Sequence, residues 1–331
     1  MGGARGHRAK LDGAQVSPAD AGATTPSPGF SDRVAALLTG ALVGFLRLVP
    51  ERVALGLGAA IGRSYARLRG PRIADAMANL RIAFPDWSDA ERRRVLIDSF
   101  GNLGRSIAEF ARLGLQSPAT LRERVRVEGF EHLDAARKST PTGGVVILTG
   151  HFGSWELLAA AMTAREVPVA IVHRSRDNAL LDALVGRLRR ASGAELFARG
   201  SAARQALAGL KAGRVLAMPY DQNCRRNEGV FVPFFGRLAC TRDGPPRIAM
   251  RTGAPVVPVF IHREADGLHH VARFEPPIEL VQEGGDRTAA VTENASRMTR
   301  PIEAAIRRAP DHWIWTHKRW RTQPEGETSP Y

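Results

Sequence analysis

The segment TGHFGSWELLAAAM, beginning at Thr149, sets His151 five residues ahead of Glu156, directly after the apolar run VVIL. An imidazole beside a carboxylate can act as a general base. The carboxylate holds one ring nitrogen and fixes the tautomer, and the other nitrogen then takes a proton from a hydroxyl or an amine. Residues five apart on a regular helix lie ~140° around its axis, so the two cannot pair within one helix. They can pair if His151 sits in a turn and Glu156 in the first turn of the helix that follows. Gly153 and Ser154 permit that turn, with Ser154 as the N-cap. The plain alternative is a strand-end histidine followed by the opening carboxylate of a core helix. Ser154 as a nucleophile is disfavoured, because no G-x-S-x-G elbow is present.

The elements that position this pair can be read from hydrophobic period. Residues 73–118 carry apolar positions at helical spacing, broken at Pro85. The helix restarts at WSDAER, where Ser88 and Glu91 form a capping-box pattern. Asn79 and Asn102 fall in these helices and could be no more than local polar contacts. From Val125 the pattern changes to short β-branched runs: VRVEGFEHL, GGVVILTG, VPVAIVH, GRVLAMPYD, APVVPVFIHR and HVARFEPPIEL. Helical stretches lie between several of them, and another helix covers Val291 to Ile306. This alternation predicts an α/β fold with a mixed, largely parallel sheet flanked by helices.

The N-terminal region reads differently. Residues 1–30 are polar and rich in Gly, Ala, Pro and Ser, the composition of a disordered tail. VAALLTGALVGFL follows from Val34 to Leu46 without a charge; Arg47 interrupts, and VALGLGAAIG spans residues 53–62. Residues 34–49 are too short to span a bilayer comfortably, which takes ~20 apolar residues. An interfacial or re-entrant helix is expected, with Arg63, Arg67, Arg69 and Arg72 facing anionic lipid. Neither a myristoylation motif nor a secretory signal is recognisable.

HFGSWE after an apolar strand resembles the H-x4-D/E motif of the glycerolipid acyltransferases. More narrowly, the chain resembles the bacterial lipid A late acyltransferase family. NLRIAFPDWSDAER, VHRSRDNALLDALVGRLR, MPYDQN with GVFVPFFGRLACT, TGAPVVPVF and APDHWIWTHKRWRTQPEG match that family in order, over roughly residues 31–326. Ala179 departs from the family, which commonly has proline there. The phosphatidylinositol mannoside acyltransferases share these blocks, so the acceptor lipid stays open.

The resemblance implies a glycerolipid acyltransferase-like domain over residues 71–326, with residues 31–70 as a membrane-associated segment. It implies acyl transfer from acyl-ACP or acyl-CoA to a hydroxyl of a lipid A precursor, on the cytoplasmic face of the inner membrane, without metal, cofactor or nucleic acid. His151 is then the base and Glu156 its orienter. Arg174 and Arg189 are the candidates for holding phosphate or the oxyanion, although the run through Arg190 could equally be a solvated helix face. Asp221, at the end of a strand, sits where open α/β sheets place their sites, or is a plain turn residue. Phe231, Phe234 and Phe235 could line an acyl chain or fill the core. Trp313, Trp315 and Trp320, interleaved with His317, Lys318, Arg319 and Arg321, suit a membrane interface.

Composition bounds the alternatives. The chain has 331 residues, 44% hydrophobic, and carries 47 Lys+Arg against 33 Asp+Glu, a formal charge of +14. That balance favours an anionic partner without choosing among lipid, nucleic acid and phosphorylated substrate. A non-catalytic binder of anionic membrane or nucleic acid would explain the charge and the C-terminal aromatics, but not H-x4-E at a strand exit. Cys224 and Cys240, sixteen residues apart with no CxxC, argue against a disulfide framework or a zinc site.

Overall fold

The computed structural model describes residues 29–68, 70–173, 178–198, 202–282 and 285–331. The expected tail over 1–30 lies outside these except for Gly29 and Phe30, and Arg69 and Arg174 also lie outside.

Four helices come first: α1 (Phe30–Leu48), α2 (Glu51–Arg67), α3 (Pro71–Ala83) and α4 (Asp89–Arg112). Pro50, which cannot donate a backbone hydrogen bond, lies at the break between α1 and α2. Among the described residues no helix is long and apolar enough to cross a membrane. α4 opens as the sequence predicts: the Ser88 hydroxyl accepts from the Glu91 amide, and the Glu91 carboxylate accepts from the Ser88 amide. α2 lies against α4 through Gly58 and Gly104, where a Cβ on either glycine would strike the carbonyl of the other. Small residues here let the two helix backbones touch. Two arginines tie α1 to the end of α4. Arg47 Nε donates to the Ala111 carbonyl, and Arg112 Nη1 donates to the carbonyls of Leu46 and Val49.

The remainder alternates: α5 (Pro118–Arg124), β1 (Val125–Glu128), α6 (Phe130–Lys138), β2 (Val145–Thr149), α7 (Trp155–Thr163), β3 (Val169–His173), α8 (Ala179–Arg190), β4 (Glu195–Ala198), α9 (Ala202–Lys211), β5 (Val215–Pro219), β6 (Gly229–Phe234), β7 (Arg237–Arg242), α10 (Gly244–Thr252), β8 (Val256–Arg263), β9 (His270–Phe274) and α11 (Arg287–Arg308). Seven strands form one sheet in the order β1-β9-β8-β2-β5-β3-β4. Every pairing is parallel except β8 with β9. β2 sits in the middle and is buried at all five positions, which explains its unbroken apolar run.

Several features depart from the sequence expectations. VRVEGFEHL is a four-residue strand followed by a helix, because Gly129 takes a left-handed conformation (φ 70°) and turns the chain into α6. β4 and the β6–β7 hairpin carry too little period to be read in advance. The C-terminal tryptophans are not at a membrane interface. Trp313, Trp315 and Trp320 are 2%, 1% and 0% exposed, and Arg319 is 0% exposed. Arg319 binds the Cys240 carbonyl and the Thr241 hydroxyl, so the alternation of aromatics and cations is interior packing. Phe234 and Phe235 join the same core rather than an acyl-chain wall. The helix asparagines reach far along the chain. Asn79 donates to the carbonyls of Trp315 and His317, and Asn102 to the carbonyl and carboxylate of Asp311.

Candidate active site

β2 and β5 are neighbours, and their register sets Thr149 opposite Pro219. Two residues beyond each strand end stand His151 and Asp221, which therefore emerge side by side. The Asp221 Oδ1 lies 2.9 Å from His151 Nδ1. Its Oδ2 accepts from the His151 backbone amide at 2.9 Å and from the Trp313 indole at 2.8 Å. Gly150 makes this approach possible, since a Cβ there would crowd the Asp221 carboxylate at 3.3 Å. The turn then passes Gly153, whose φ of 58° and contact with the Ile261 carbonyl leave no room for a side chain. The C-terminal segment fastens the turn: Gly153 donates to the His312 carbonyl and Ile314 to that of His151.

Glu156 does lie in the first turn of α7, as the spacing requires. No hydrogen bond joins it to His151. It accepts from Arg189 of α8, with Nε 2.9 Å and Nη2 2.6 Å from Oε1. The carboxylate on the imidazole is thus that of Asp221, and the expected His151–Glu156 hydrogen bond gives way to a Glu156–Arg189 fork. The reason is competition. A guanidinium presents two parallel donors to Glu156, a geometry that one imidazole cannot match. Ser154 precedes α7 as its N-cap residue, but its side chain makes no capping bond.

Three of these groups share one cleft, with Asp221 buried behind the imidazole. His151, Glu156 and Arg189 line a 330 Å³ cavity whose other wall is Leu103, Ile107 and Phe110 of α4, with Val185 of α8. One side is polar and ionisable and the other is apolar. Trp155 meets the His151 ring edge-on at 5.4 Å. The Gln222 amide lies 3.4 Å from both ring nitrogens. Trp155, Gln222 and Trp313 all fall in the motif blocks of the sequence, but nothing in their types marked them as neighbours of His151.

The electrostatics follow the geometry. Burial lowers the His151 pKa, but the Asp221 charge and hydrogen bond outweigh it, with Glu156 adding to them, and the net shift is upward. Burial works against ionising Asp221, yet His151 and the Trp313 indole hold its carboxyl well below the usual range. Asp221 therefore stays anionic and Nδ1 of His151 carries a proton toward it. Nε2 is left as the basic nitrogen of the neutral ring. His317, whose Nε2 accepts from the Asn223 amide at 2.8 Å, is pushed down to about 4 by burial and stays neutral beside this pair.

An oriented imidazole at strand ends, facing an apolar-walled cleft, is what acyl transfer to a hydroxyl requires. The pattern of the bacterial lipid A biosynthesis acyltransferases matches residues 31–322. The chain belongs to that family. Relatives include the lipid A biosynthesis palmitoleoyltransferase of Escherichia coli K12, 28% identical over 284 residues, which cover 86% of this chain and 90% of the relative. The lauroyltransferase of the same organism is 29% identical over 295 residues, covering 87% and 93%. The myristoyltransferase is 25% identical over 286 residues, covering 86% of each chain. The bacterial lipid A acyltransferase family is one of O-acyltransferases, and this chain is an enzyme of that class. Its relatives are named for three different acyl chains, so family membership leaves the chain length open.

Proposed function

We propose that this protein moves a fatty acyl chain from an acyl thioester, acyl-ACP or acyl-CoA, to a hydroxyl of a lipid A precursor, with His151 as general base. The observation that carries this reading is the His151–Asp221 pair, whose imidazole lines an apolar-walled cleft. His151 Nε2 takes the proton of the acceptor hydroxyl as its oxygen attacks the thioester carbonyl. Asp221 stabilises the imidazolium that forms. Collapse of the tetrahedral intermediate expels the thiolate, and the imidazolium returns the proton to sulfur. No acyl-enzyme is needed. Arg189, which Glu156 holds in the cleft lining, has the proposed role of meeting developing or phosphate negative charge. Arg174 has the same proposed role, from outside the described residues.

The reading includes attachment to the cytoplasmic face of the inner membrane. α1 exposes Leu37, Leu38, Leu42, Phe45 and Leu48, and α2 exposes Val53, Leu57, Ile61 and Tyr65 at three- and four-residue steps. Ile107 of α4, 52% exposed, is a further exposed apolar side chain and lines the cleft. Arg67, Arg93 and Arg94 gather at the far end of α2, where they suit lipid phosphates. This 460 Å³ depression holds none of the acid–base groups of the cleft.

The test is acyl transfer by the purified protein in vesicles, with acyl-ACP and acyl-CoA donors of several lengths and with lipid A precursor or phosphatidylinositol mannoside as acceptor, read by mass spectrometry. Acylated lipid A precursor is expected. Product on the mannoside alone would move the reading to that branch. No product from any combination, with the protein still bound to vesicles, would leave a lipid binder. For attachment, Leu38→Asp with Leu57→Asp is expected to shift the protein from vesicles to the supernatant; unchanged sedimentation would refute the apolar face.

A further inference from the structure

Cys224 and Cys240 take no part in the chemistry above. Sixteen residues apart in sequence, they meet in the fold with their Sγ atoms 3.4 Å apart. Their placement follows from strand pairing. Asn223 bridges Thr241 in the antiparallel sense, so the next step sets Cys224 opposite Cys240. Residues directly opposed across antiparallel strands have Cα atoms about 4.5–5.5 Å apart, inside the span of roughly 4.4–6.8 Å that a disulfide bridges. Gly229 makes the room, since a Cβ there would collide with the Cys224 sulfur. Both thiols are free and buried.

We propose that Cys224 and Cys240 form a peroxide-oxidisable dithiol whose disulfide displaces Asp221 and so turns off the His151 pair. The functional half rests on the catalytic reading above. Asp221 and Cys224 belong to one short segment, held by the Asn223 amide on His317 and by the Thr322 hydroxyl on the Cys224 carbonyl. Bringing the sulfurs from 3.4 Å to a bond of ~2.05 Å pulls this segment toward β7 by on the order of 1 Å. A misplacement of that size at a catalytic group costs on the order of 10² in rate.

The surroundings favour the first step at Cys240. Its thiol is shifted downward: the Cys224 hydrogen bond lowers it, burial opposes, and Arg319 and Arg226 add positive charge. Cys224 is shifted upward by the contact with Cys240 and by burial, and keeps its proton. The Cys240 thiolate attacks one oxygen of hydrogen peroxide. The O–O bond breaks, giving a sulfenic acid and hydroxide, which leaves as water with a solvent proton. The Cys224 sulfur then attacks the Cys240 sulfur and expels hydroxide, which takes the Cys224 proton. Two thiols and one peroxide become one disulfide and two waters; the sulfurs are oxidised and the peroxide is reduced.

The experiment treats the full chain in vesicles with hydrogen peroxide, blocks remaining thiols with iodoacetamide, and maps the cysteines by mass spectrometry. Loss of two hydrogens, with the Cys224 and Cys240 peptides linked, is expected. Acyl transfer should fall at least about tenfold and return with dithiothreitol. Cys224→Ser and Cys240→Ser should keep basal activity and ignore peroxide. Thiols that stay alkylatable, or that advance only to sulfinic acid, would overturn the proposal. A disulfide with unchanged activity would overturn its effect on Asp221. Should acyl transfer be absent even before oxidation, the failure lies with the catalytic reading. Tryptophan fluorescence then decides. A reversible change on oxidation, absent in Trp313→Phe, supports displacement of Asp221 from its indole partner, and no change refutes it.

Discussion

Replacing Asp221 by Asn separates the two carboxylates near His151. Oδ2 of Asp221 accepts two hydrogen bonds, from the His151 amide and the Trp313 indole. In Asp221→Asn the amide oxygen must keep that position, because the NH2 group cannot accept from either donor. The NH2 group then falls where Oδ1 was, 2.9 Å from His151 Nδ1. A donor there forces Nδ1 to be the acceptor and moves the ring proton to Nε2. The ring then lacks a basic nitrogen in the cleft. The expected loss in kcat is that of a general base, on the order of 10²–10⁴, or roughly 3–5 kcal/mol in the barrier. The residual activity should show a changed pH profile. Asp221 raises the His151 pKa, so the wild-type acid limb lies above the ordinary imidazole value of 6.5. Removing the charge lowers the pKa and moves that limb to lower pH. Glu156→Gln also removes charge, but it leaves the tautomer intact and keeps one acceptor for Arg189. Its loss should be at least about tenfold smaller than that of Asp221→Asn, with a smaller shift of the limb in the same direction. Initial-rate assays across pH on all three proteins decide the matter. A nearly active Asp221→Asn beside a dead Glu156→Gln would refute the assignment of Asp221 as the partner and restore the pair suggested by spacing.

The helix contact gives a second prediction: Gly104→Ala drives a methyl group into the Gly58 carbonyl and should lower stability by about 1–3 kcal/mol, seen as a lower Tm in detergent. An unchanged Tm would mean that α2 and α4 separate readily. A third prediction concerns pH. His270 is fully buried near Glu109, and burial lowers its pKa from 6.5 to about 3. The unfolded chain binds this proton below 6.5 and the folded chain does not, so stability falls as pH drops from 6.5 toward 3. At pH 4.5 the loss is about 2–3 kcal/mol relative to pH 7. Glu109, held at about 2 by His270 and Arg263 against burial, adds a further loss only below its ordinary 4.5. Urea unfolding of His270→Leu should show a flatter dependence between pH 7 and 4.5, and a slope equal to that of wild type would count against it.

What the sequence determines on its own is local. Ser88 and Glu91 cap α4 because both halves of the box lie within one turn, and their bonds need nothing from elsewhere. The apolar runs of β2, β3, β5 and β8 and the helices between them are legible because period and burial are written along the chain. Five ordered motif blocks likewise mark the family. The turn at Gly153 and the position of Glu156 in the first turn of α7 follow from six consecutive residues.

The pairing of His151 was decided by tertiary structure. Spacing offered Glu156, five residues away. Parallel register brought Asp221, seventy residues away, two steps past the end of the neighbouring strand. Glu156 was then taken by Arg189, from a helix whose approach no local pattern describes. The C-terminal tryptophans show the same division: their types suit an interface or a core equally, and their depth depends on what the fold lays over them. A carboxylate binds the partner that long-range packing desolvates beside it. That choice depends on strand order and register, which are properties of the whole sheet and not of any stretch of sequence.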